Sequence, residues 1–252
     1  MNLKVVSFNI RNCDDKNGHT RAERAPRLYN TINEVDPDVI GLQEIRIPWE
    51  EYIKKYFGEK YDIYNKYRNE TTDVESAPIL WKKDKFDLVV KGNFWLSDTP
   101  EKESKGWDEK YNCYRMCSYV ILKDKNSGKC FTFMNTHFGF GDNCQIKSSK
   151  LIAQYAKKLS DHPFFITGDF NMTPDSIGYK EITKYFTDAN TVTANFKGAT
   201  YHGYNPEINN NQHIDYCFID SKVTAVSYKI LDKTFDGKFP SDHYGLFLEL
   251  NI

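Results

Sequence analysis

The sequence is short of several features, and each absence removes a class of protein. No stretch approaches 18 uninterrupted apolar residues, so no membrane-spanning helix is expected. The six cysteines, Cys13, Cys113, Cys117, Cys130, Cys144 and Cys217, include no Cys-x-x-Cys pair. They read as reduced thiols of a cytosolic protein rather than as disulfides or a zinc site. Charge of either sign is not in excess. The formal net charge is -1, so bulk electrostatics draws the chain to neither nucleic acid nor a membrane surface, and anion binding must be local. Glycine-rich phosphate loops of the two nucleotide-binding patterns are missing. So are internal repeats, low-complexity runs and Pro/Gly/Ser-rich linkers, which leaves residues 1–252 as one domain. Met1 runs straight into an alternating strand without a basic-then-apolar leader, so the expectation is a cytoplasmic chain with no signal peptide and no obligate protein partner.

Aromatic residues are plentiful, at 15% of the chain, enough to pack a β-rich core and still line a groove. Period-2 alternation and apolar runs predict strands over residues 3–10, 39–43, 61–65, 78–81, 86–95, 115–123, 129–136, 164–167, 213–220, 222–231 and 244–250. Ala25, Leu28, Ile32 and Val35 recur at helical spacing, which predicts a helix over 21–35 stopped by Asp36-Pro37. Further helices are expected at 49–57, at 147–159, and from an Asp175 cap to about 186. Strands dominate and helices fall between only some of them. That pattern favours an α/β (α+β) fold with two stacked sheets and outer helices over a doubly wound parallel sheet.

Polar groups interrupt the apolar runs at their ends. Ser7-Phe8-Asn9, Leu42-Gln43-Glu44, Asn135-Thr136-His137 and Thr167-Gly168-Asp169-Phe170-Asn171 end strands. Ile214-Asp215-Tyr216 and Ser241-Asp242-His243 begin them. If the last two strands run antiparallel to the earlier ones, Asn9, Glu44, His137, Asp169, Asn171, Asp215, Asp242 and His243 meet at one mouth. Asp169 and Asn171 are two apart and point the same way in extended chain. Carboxylates so crowded repel unless one is protonated or a cation lies among them. The donors are oxygens with few imidazoles and no thiolate, which suits Mg²⁺ or Mn²⁺ better than zinc. The chemistry this favours is metal-assisted hydrolysis of a phosphate ester. Arg11, two residues past Asn9, and Arg115, at a strand start, are candidate phosphate contacts, because a guanidinium fork matches phosphate oxygens. Tyr201 and His202 are candidates to line the groove. His19, His162 and the charged run 101–110 read as solvated loops.

Taken in order, Ser-Phe-Asn, Leu-Gln-Glu, Asn-Thr-His, Gly-Asp-Phe-Asn, Ile-Asp-Tyr and Ser-Asp-His resemble the motifs of the endonuclease/exonuclease/phosphatase superfamily. That superfamily includes abasic-site endonucleases of the exonuclease III type, deoxyribonuclease I-type enzymes, deadenylases, neutral sphingomyelinases and inositol-polyphosphate 5-phosphatases. The likeness covers residues 4–250. Trp95-Leu96-Ser97 and Thr200-Tyr201-His202-Gly203 are similar to a bacterial branch. The resemblance implies a four-layer α/β/β/α sandwich of two mixed, mostly antiparallel sheets with helices outside. It implies Glu44 as main metal ligand, helped by Asn9 and Asp242. Asp169 would orient or deprotonate the attacking water, and Asn171 would hold that water or a phosphate oxygen. His243 would bond the scissile phosphate, oriented by Asp215. Glu75 and His137 resemble the second acid–histidine pair of the deoxyribonuclease branch.

The implied activity is that of a Mg²⁺-dependent phosphodiesterase, with nucleic acid the leading substrate. A phospholipid, sphingomyelin, sugar-phosphate or inositol-phosphate esterase is the alternative on the same scaffold, and a non-catalytic binding module is less favoured because every polar position the chemistry needs is filled. Phe138-Gly139-Phe140-Gly141 departs from many bacterial relatives, which place a second histidine near Asp there. The tyrosine and asparagine of abasic-site enzymes, and the extra basic groups of the inositol branch, have no clear counterpart.

Overall fold

The computed structural model describes residues 1–252 except 73, 160 and 208–211. Its strands form two sheets of six. The first contains β1 (Asn2–Asn9), β2 (Val39–Gln43), β3 (Tyr61–Tyr64), β4 (Ile79–Lys82), β11 (Thr224–Leu231) and β12 (Gly245–Asn251), in the order β11-β12-β1-β2-β4-β3. The second contains β5 (Phe86–Trp95), β6 (Met116–Asp124), β7 (Cys130–His137), β8 (Phe164–Asp169), β9 (Thr187–Asp188) and β10 (Asp215–Ile219), in the order β5-β6-β7-β8-β10-β9. Two pairings are parallel, β1 with β2 and β7 with β8. Each spans a helical crossover, as a parallel pair requires. Helix α1 (Arg21–Val35) joins the first pair and α3 (Asp142–Leu159) the second.

Helix α1 begins at a capping box, with Thr20 accepting from the Glu23 N–H and Glu23 reaching back to the Thr20 backbone. Helix α2 (Ile47–Phe57) carries a proline in its first turn. Helix α3 starts five residues before the expected point, at Asp142. The helix expected from Asp175 shortens to α4 (Ile177–Ile182), capped by Ser176, because the chain turns at 183–186 and enters the two-residue strand β9.

Strand alternation sorts the residues into layers. Val6 and Phe8 of β1, with Ile40 and Leu42 of β2, face α1 and α2 and pack on Leu28, Ile32, Trp49 and Ile53. Ile166 of β8 and Tyr216 and Phe218 of β10 face α3 and α4, against Ile152, Tyr155 and Ile182. The intervening residues point between the sheets: Leu3 and Val5, Val39, Phe131 and Phe133, Phe165, Cys217 and Ile219. The result is the four-layer α/β/β/α sandwich.

The inter-sheet faces change character along their length. Past the apolar core stand Ser7, Gln43, Asn135 and Thr167, all fully buried. Asn135 fastens the sheets together. Its Nδ2 donates to the Leu42 carbonyl at 2.7 Å and the Pro78 carbonyl at 2.9 Å, and its Oδ1 accepts from Gln43 Nε2 at 2.7 Å and Thr167 Oγ1 at 3.2 Å. Beyond this polar belt the same faces end in Asn9, His137, Asp169 and Asp215.

Candidate active site

The register of the strands brings the site residues together. Asp215 sits opposite Asp169 in the antiparallel β10–β8 pair, and His137 beside Asp169 in the parallel β7–β8 pair. The β8 strand can lie this close to β7 because residue 168 is glycine: a Cβ there would stand 2.3 Å from the Thr136 carbonyl oxygen. Strand β12 runs antiparallel to β1, so His243, just before β12, returns to the end of β1 where Asn9 stands. The starts of β10 and β12 thus share an edge with the ends of β1 and β8, as the polar strand ends require.

Three residues beside the cavity hold left-handed backbone: Arg11 (φ 60°), Glu44 (φ 66°) and Asn171 (φ 50°). Asparagine tolerates this region, but for Arg and Glu it costs on the order of 1–2 kcal/mol each. For Glu44 the turn re-aims a carboxylate that would otherwise continue along β2. Its Oε2 then accepts from the Asn12 N–H at 2.9 Å and its Oε1 from Asn9 Nδ2 at 3.1 Å. The same Asn9 Nδ2 donates to Asp169 Oδ2 at 2.9 Å, while Asn9 Oδ1 accepts from the Arg11 N–H at 3.1 Å. Asn9 therefore ties Glu44 to Asp169 with its amide nitrogen. Asp169 Oδ1 accepts from the Asn171 N–H at 3.0 Å, and Asn171 Nδ2 donates to the Phe138 carbonyl at 2.9 Å.

Two histidines flank Asp169. His243 Nε2 lies 3.7 Å and His137 Nε2 3.5 Å from Asp169 Oδ2. On its other side His243 Nδ1 lies 2.9 Å from Asp215 Oδ2, with both residues buried. Burial alone would discharge this imidazole, but Asp215, then Asp169 and Asp242, overcome it and raise its pKa to about 10. His243 is a cation at neutral pH. The second pair is looser. His137 Nδ1 stands 3.6 Å from Glu75 Oε1, beyond hydrogen-bond range, while Arg68 Nη1 holds that oxygen at 2.7 Å and Asn12 Nδ2 the other at 2.8 Å. Burial works against the Glu75 charge, yet Arg68, His137 and Arg115 hold it well below the usual carboxylate range.

Glu44 goes the other way. Burial, then the charges of Glu75 and Asp242, push it above the ordinary carboxylate range. A half-buried acid pressed by two others is a place for a cation, and the oxygens of Glu44 and Asp242 are the kind of donors that Mg²⁺ or Mn²⁺ take. Asp169, Asp215 and His243 also bring ligand atoms within 4.8 Å of one another. In that triad His243 Nδ1 is already bonded to Asp215, which leaves Nε2 on the side of Asp169.

These groups line a cavity of about 480 Å³ open to solvent. It includes Arg11, Glu44, Glu75, Arg115, His137, Asp169, Asn171, Tyr201, Asp242 and His243. The Tyr201 ring meets that of His243 edge-on, with centroids 4.9 Å apart. Arg11 is engaged by Asp15 through two bonds of 3.0 and 3.1 Å and lies 3.7 Å from Asp242. Arg115 is buried and bonded through Nε to Asp108 at 3.1 Å.

Several expectations are corrected. His202 does not line this cavity: it is fully buried against Phe239 and Tyr244, because the bridge at Tyr201 turns its neighbour inward. His19 is not solvated; it is 8% exposed and stacks on Tyr204 at 3.9 Å. The run 101–110 is not wholly a solvated loop, since Asp108 is buried and Lys110 lines the mouth. His162 is exposed, as expected. Asn12, Arg68 and Asp108, which position site residues, escaped the sequence reading. They lie in loops, where no alternation marks an inward side chain.

The model of the Endonuclease/Exonuclease/phosphatase family matches residues 145–243, the span from α3 through Gly-Asp-Phe-Asn to His243. Over that span the chain is similar to the endonuclease/exonuclease/phosphatase family. A crystal structure of an endonuclease/exonuclease/phosphatase family protein from Bacteroides thetaiotaomicron is 28% identical, with a TM-score of 0.91 over 99% of this chain and 97% of that one. A mannosyl-6-phosphatase of the same organism is 27% identical, with a TM-score of 0.87 over 99% and 100%. An uncharacterised protein of Acanthamoeba polyphaga mimivirus is 28% identical over 200 residues, 66% of this chain and 29% of that protein. The chain thus spans less than a third of the length of that relative. No helix among the described residues is long and apolar enough to cross a membrane.

Proposed function

We propose that the chain is a divalent-metal-dependent phosphoesterase whose preferred substrate is a small phosphate ester, a sugar or polyol phosphate. The observation that carries the chemistry is the single amide of Asn9 joining Glu44 to Asp169, with charged His243 across from Asp169. Glu44 and Asp242 would hold Mg²⁺ or Mn²⁺, with Asn9 fixing the Glu44 carboxylate. When bound, the metal polarises a phosphoryl oxygen and stabilises developing negative charge. Asp169, with one oxygen on Asn9 and the other on the Asn171 N–H, accepts the proton of the attacking water. Cationic His243 donates to a phosphate oxygen as charge builds there, and Asp215 keeps its ring oriented and charged. His137, whose Nδ1 faces Glu75 and Nε2 faces Asp169, would bond the leaving or a non-bridging oxygen.

The substrate reading rests on the mouth. Arg11, Arg68 and Arg115 are each ion-paired, with Asp15, Glu75 and Asp108. A net charge of -1 adds no basic track of the kind long nucleic acids use. The order expected from the sequence, nucleic acid first, is therefore reversed here, in keeping with the similarity to a mannosyl-6-phosphatase. One observation favours the second reading: Tyr111, Phe140 and Tyr201 at the mouth offer faces on which bases can stack. The test is release of product in Mg²⁺ from hexose 6-phosphate, a bis-aryl phosphate, single-stranded DNA, abasic duplex, oligo-adenylate, sphingomyelin and inositol phosphates. Turnover of oligonucleotides above hexose phosphate would reverse the substrate assignment, and inactivity on all of them would remove the phosphoesterase proposal.

A further inference from the structure

The cavity has two sides, and the mechanism above uses mainly one. Part of the wall is made by Lys110, Tyr111, Cys113, Arg115 and Phe140, from residues 106–115 laid against 138–141. Asp108 organises it. Its Oδ1 accepts from the Lys110 N–H at 3.0 Å and the Tyr111 N–H at 2.8 Å, which fixes the turn carrying those side chains. Its Oδ2 accepts from Arg115 Nε at 3.1 Å. The approach depends on Gly139, where a Cβ would stand 2.8 Å from both Asp108 Cβ and Oδ2. The Glu109 N–H then donates to the Phe140 carbonyl at 3.1 Å. At the rim the Tyr111 and Phe140 rings meet edge-on at 5.4 Å, with the Lys110 ammonium 5.0 and 4.6 Å from their centroids.

Arg115 is the telling member. It is 4% exposed and lines the cavity, and its Nη1 is buried with no hydrogen-bond partner among the described residues. Buried guanidinium N–H groups are costly to leave unpaired, so a donor kept in this state at a cavity wall points to an acceptor brought by a ligand. Asp108 and Glu75 already offset its charge, so the missing acceptor need not be an anion.

We propose that this wall is the leaving-group subsite, built for a sugar ring. Arg115 Nη1 donates to a ring hydroxyl, and Tyr111 and Phe140 cover the apolar face of the ring while the phosphate lies toward Asp169 and His243. The inference rests on the phosphoesterase reading and adds to it which residues read the alcohol. The departure at Phe138-Gly139-Phe140-Gly141 then has a purpose, since Gly139 admits Asp108 and Phe140 supplies a ring.

The test compares hexose 6-phosphate with n-propyl phosphate, which has a phosphate ester but no further hydroxyls, as the ratio of kcat/KM in Mg²⁺. Arg115→Lys keeps a cation for Asp108 but loses the fork. It should lower that ratio about 10- to 100-fold, the scale of a lost charged hydrogen bond. Tyr111→Ala alters an exposed side chain and should stay folded; it should lower the ratio about 2- to 10-fold, mainly through KM for the sugar ester. Ratios within about twofold of wild type in both variants, or equal losses on both esters, would overturn the subsite. So would a wild-type enzyme that cleaves a bis-aryl phosphate but does not prefer the hexose ester, and in that case the phosphoesterase chemistry stands. Wild-type inactivity on all three would overturn both.

Discussion

The His243–Asp215 pair makes a prediction that can be worked to a number. The rise in the His243 pKa from 6.5 to about 10 corresponds to roughly 5 kcal/mol of preference for the charged ring. Asp215 is the largest contributor to that rise, through its charge and a 2.9 Å hydrogen bond, and burial opposes it. Asp215→Asn keeps the shape and an acceptor for Nδ1 but removes the charge, so His243 should fall to its ordinary range or below. At pH 8 the ring would then be only about 3% charged instead of about 99%. That alone costs about 30-fold in a step needing the imidazolium, and lost orientation carries the total toward 10²–10⁴. The loss should depend on pH, because a raised pKa places the basic limb of the wild type near its upper value and the variant brings the limb down. The deficit at pH 6 should therefore be much smaller than at pH 8.5. Stability follows the same sign. A base with a raised folded pKa stabilises fully below its unfolded value near 6.5 and loses that contribution as pH rises through about 10. The assay is the pH–rate profile of wild type and Asp215→Asn on one small ester at saturating Mg²⁺. A variant whose deficit is the same at both pH values would show that His243 acts as a neutral positioning group.

Three other outcomes are expected. Glu44→Gln should weaken Mn²⁺ binding at least about tenfold by calorimetry, and Mg²⁺ should raise the melting temperature of wild type but not of the variant; unchanged affinity would take Glu44 out of the metal site. Asp169→Asn, isosteric and able to keep the strand intact, should lower kcat by about two to four orders of magnitude, and a rate within a fewfold of wild type would place the base elsewhere. Asn135→Leu breaks four buried hydrogen bonds, three of them between the sheets, and should destabilise the fold by roughly 3–5 kcal/mol in urea unfolding; a loss under about 1 kcal/mol would mean that the polar belt does not fasten the sandwich.

Much of the fold was legible because strand and helix periods are local. Helix α1 and strands β2 and β5 have the bounds their alternation predicts. The early start of α3 was hidden because Asp142, Asn143 and Cys144 are weak helix formers, held by the α3–α4 packing rather than by propensity. The two-residue β9 exists through its pairing with β10, a tertiary fact with no sequence period. His202 was misplaced for a related reason. Its neighbour Tyr201 faces the cavity, and only the Tyr201–His243 bridge decides which of the two turns inward.

The site divides along the same line, and the division bears on what such sequences can reveal. Asn9, His137, Asp169 and Asp215 are the last or first residues of strands whose inter-sheet faces are fixed by alternation with Val5, Phe133, Phe165 and Cys217. Once the two sheets stack, these polar ends can only converge at one edge, so their meeting follows from periodicity and strand direction. The residues that build the proposed leaving-group wall, and those that hold its neighbours, obey no such rule. Arg68, Asp108, Lys110, Tyr111 and Phe140 lie in connections, and their positions depend on contacts such as Arg68 with Glu75 and Asp108 with Gly139 that join distant loops. On the proposed reading, the chemistry sits on strands and the residues flanking their ends, and the choice of leaving group on loops. Loop variation can change the substrate while leaving the strand-borne site intact. The substitutions that separate the two are then Asp169→Asn, which should lower turnover of every ester alike, and Tyr111→Ala, which should change only the ranking among esters. A Tyr111→Ala enzyme that ranks its esters as the wild type does would place the choice of leaving group on the strand-borne side.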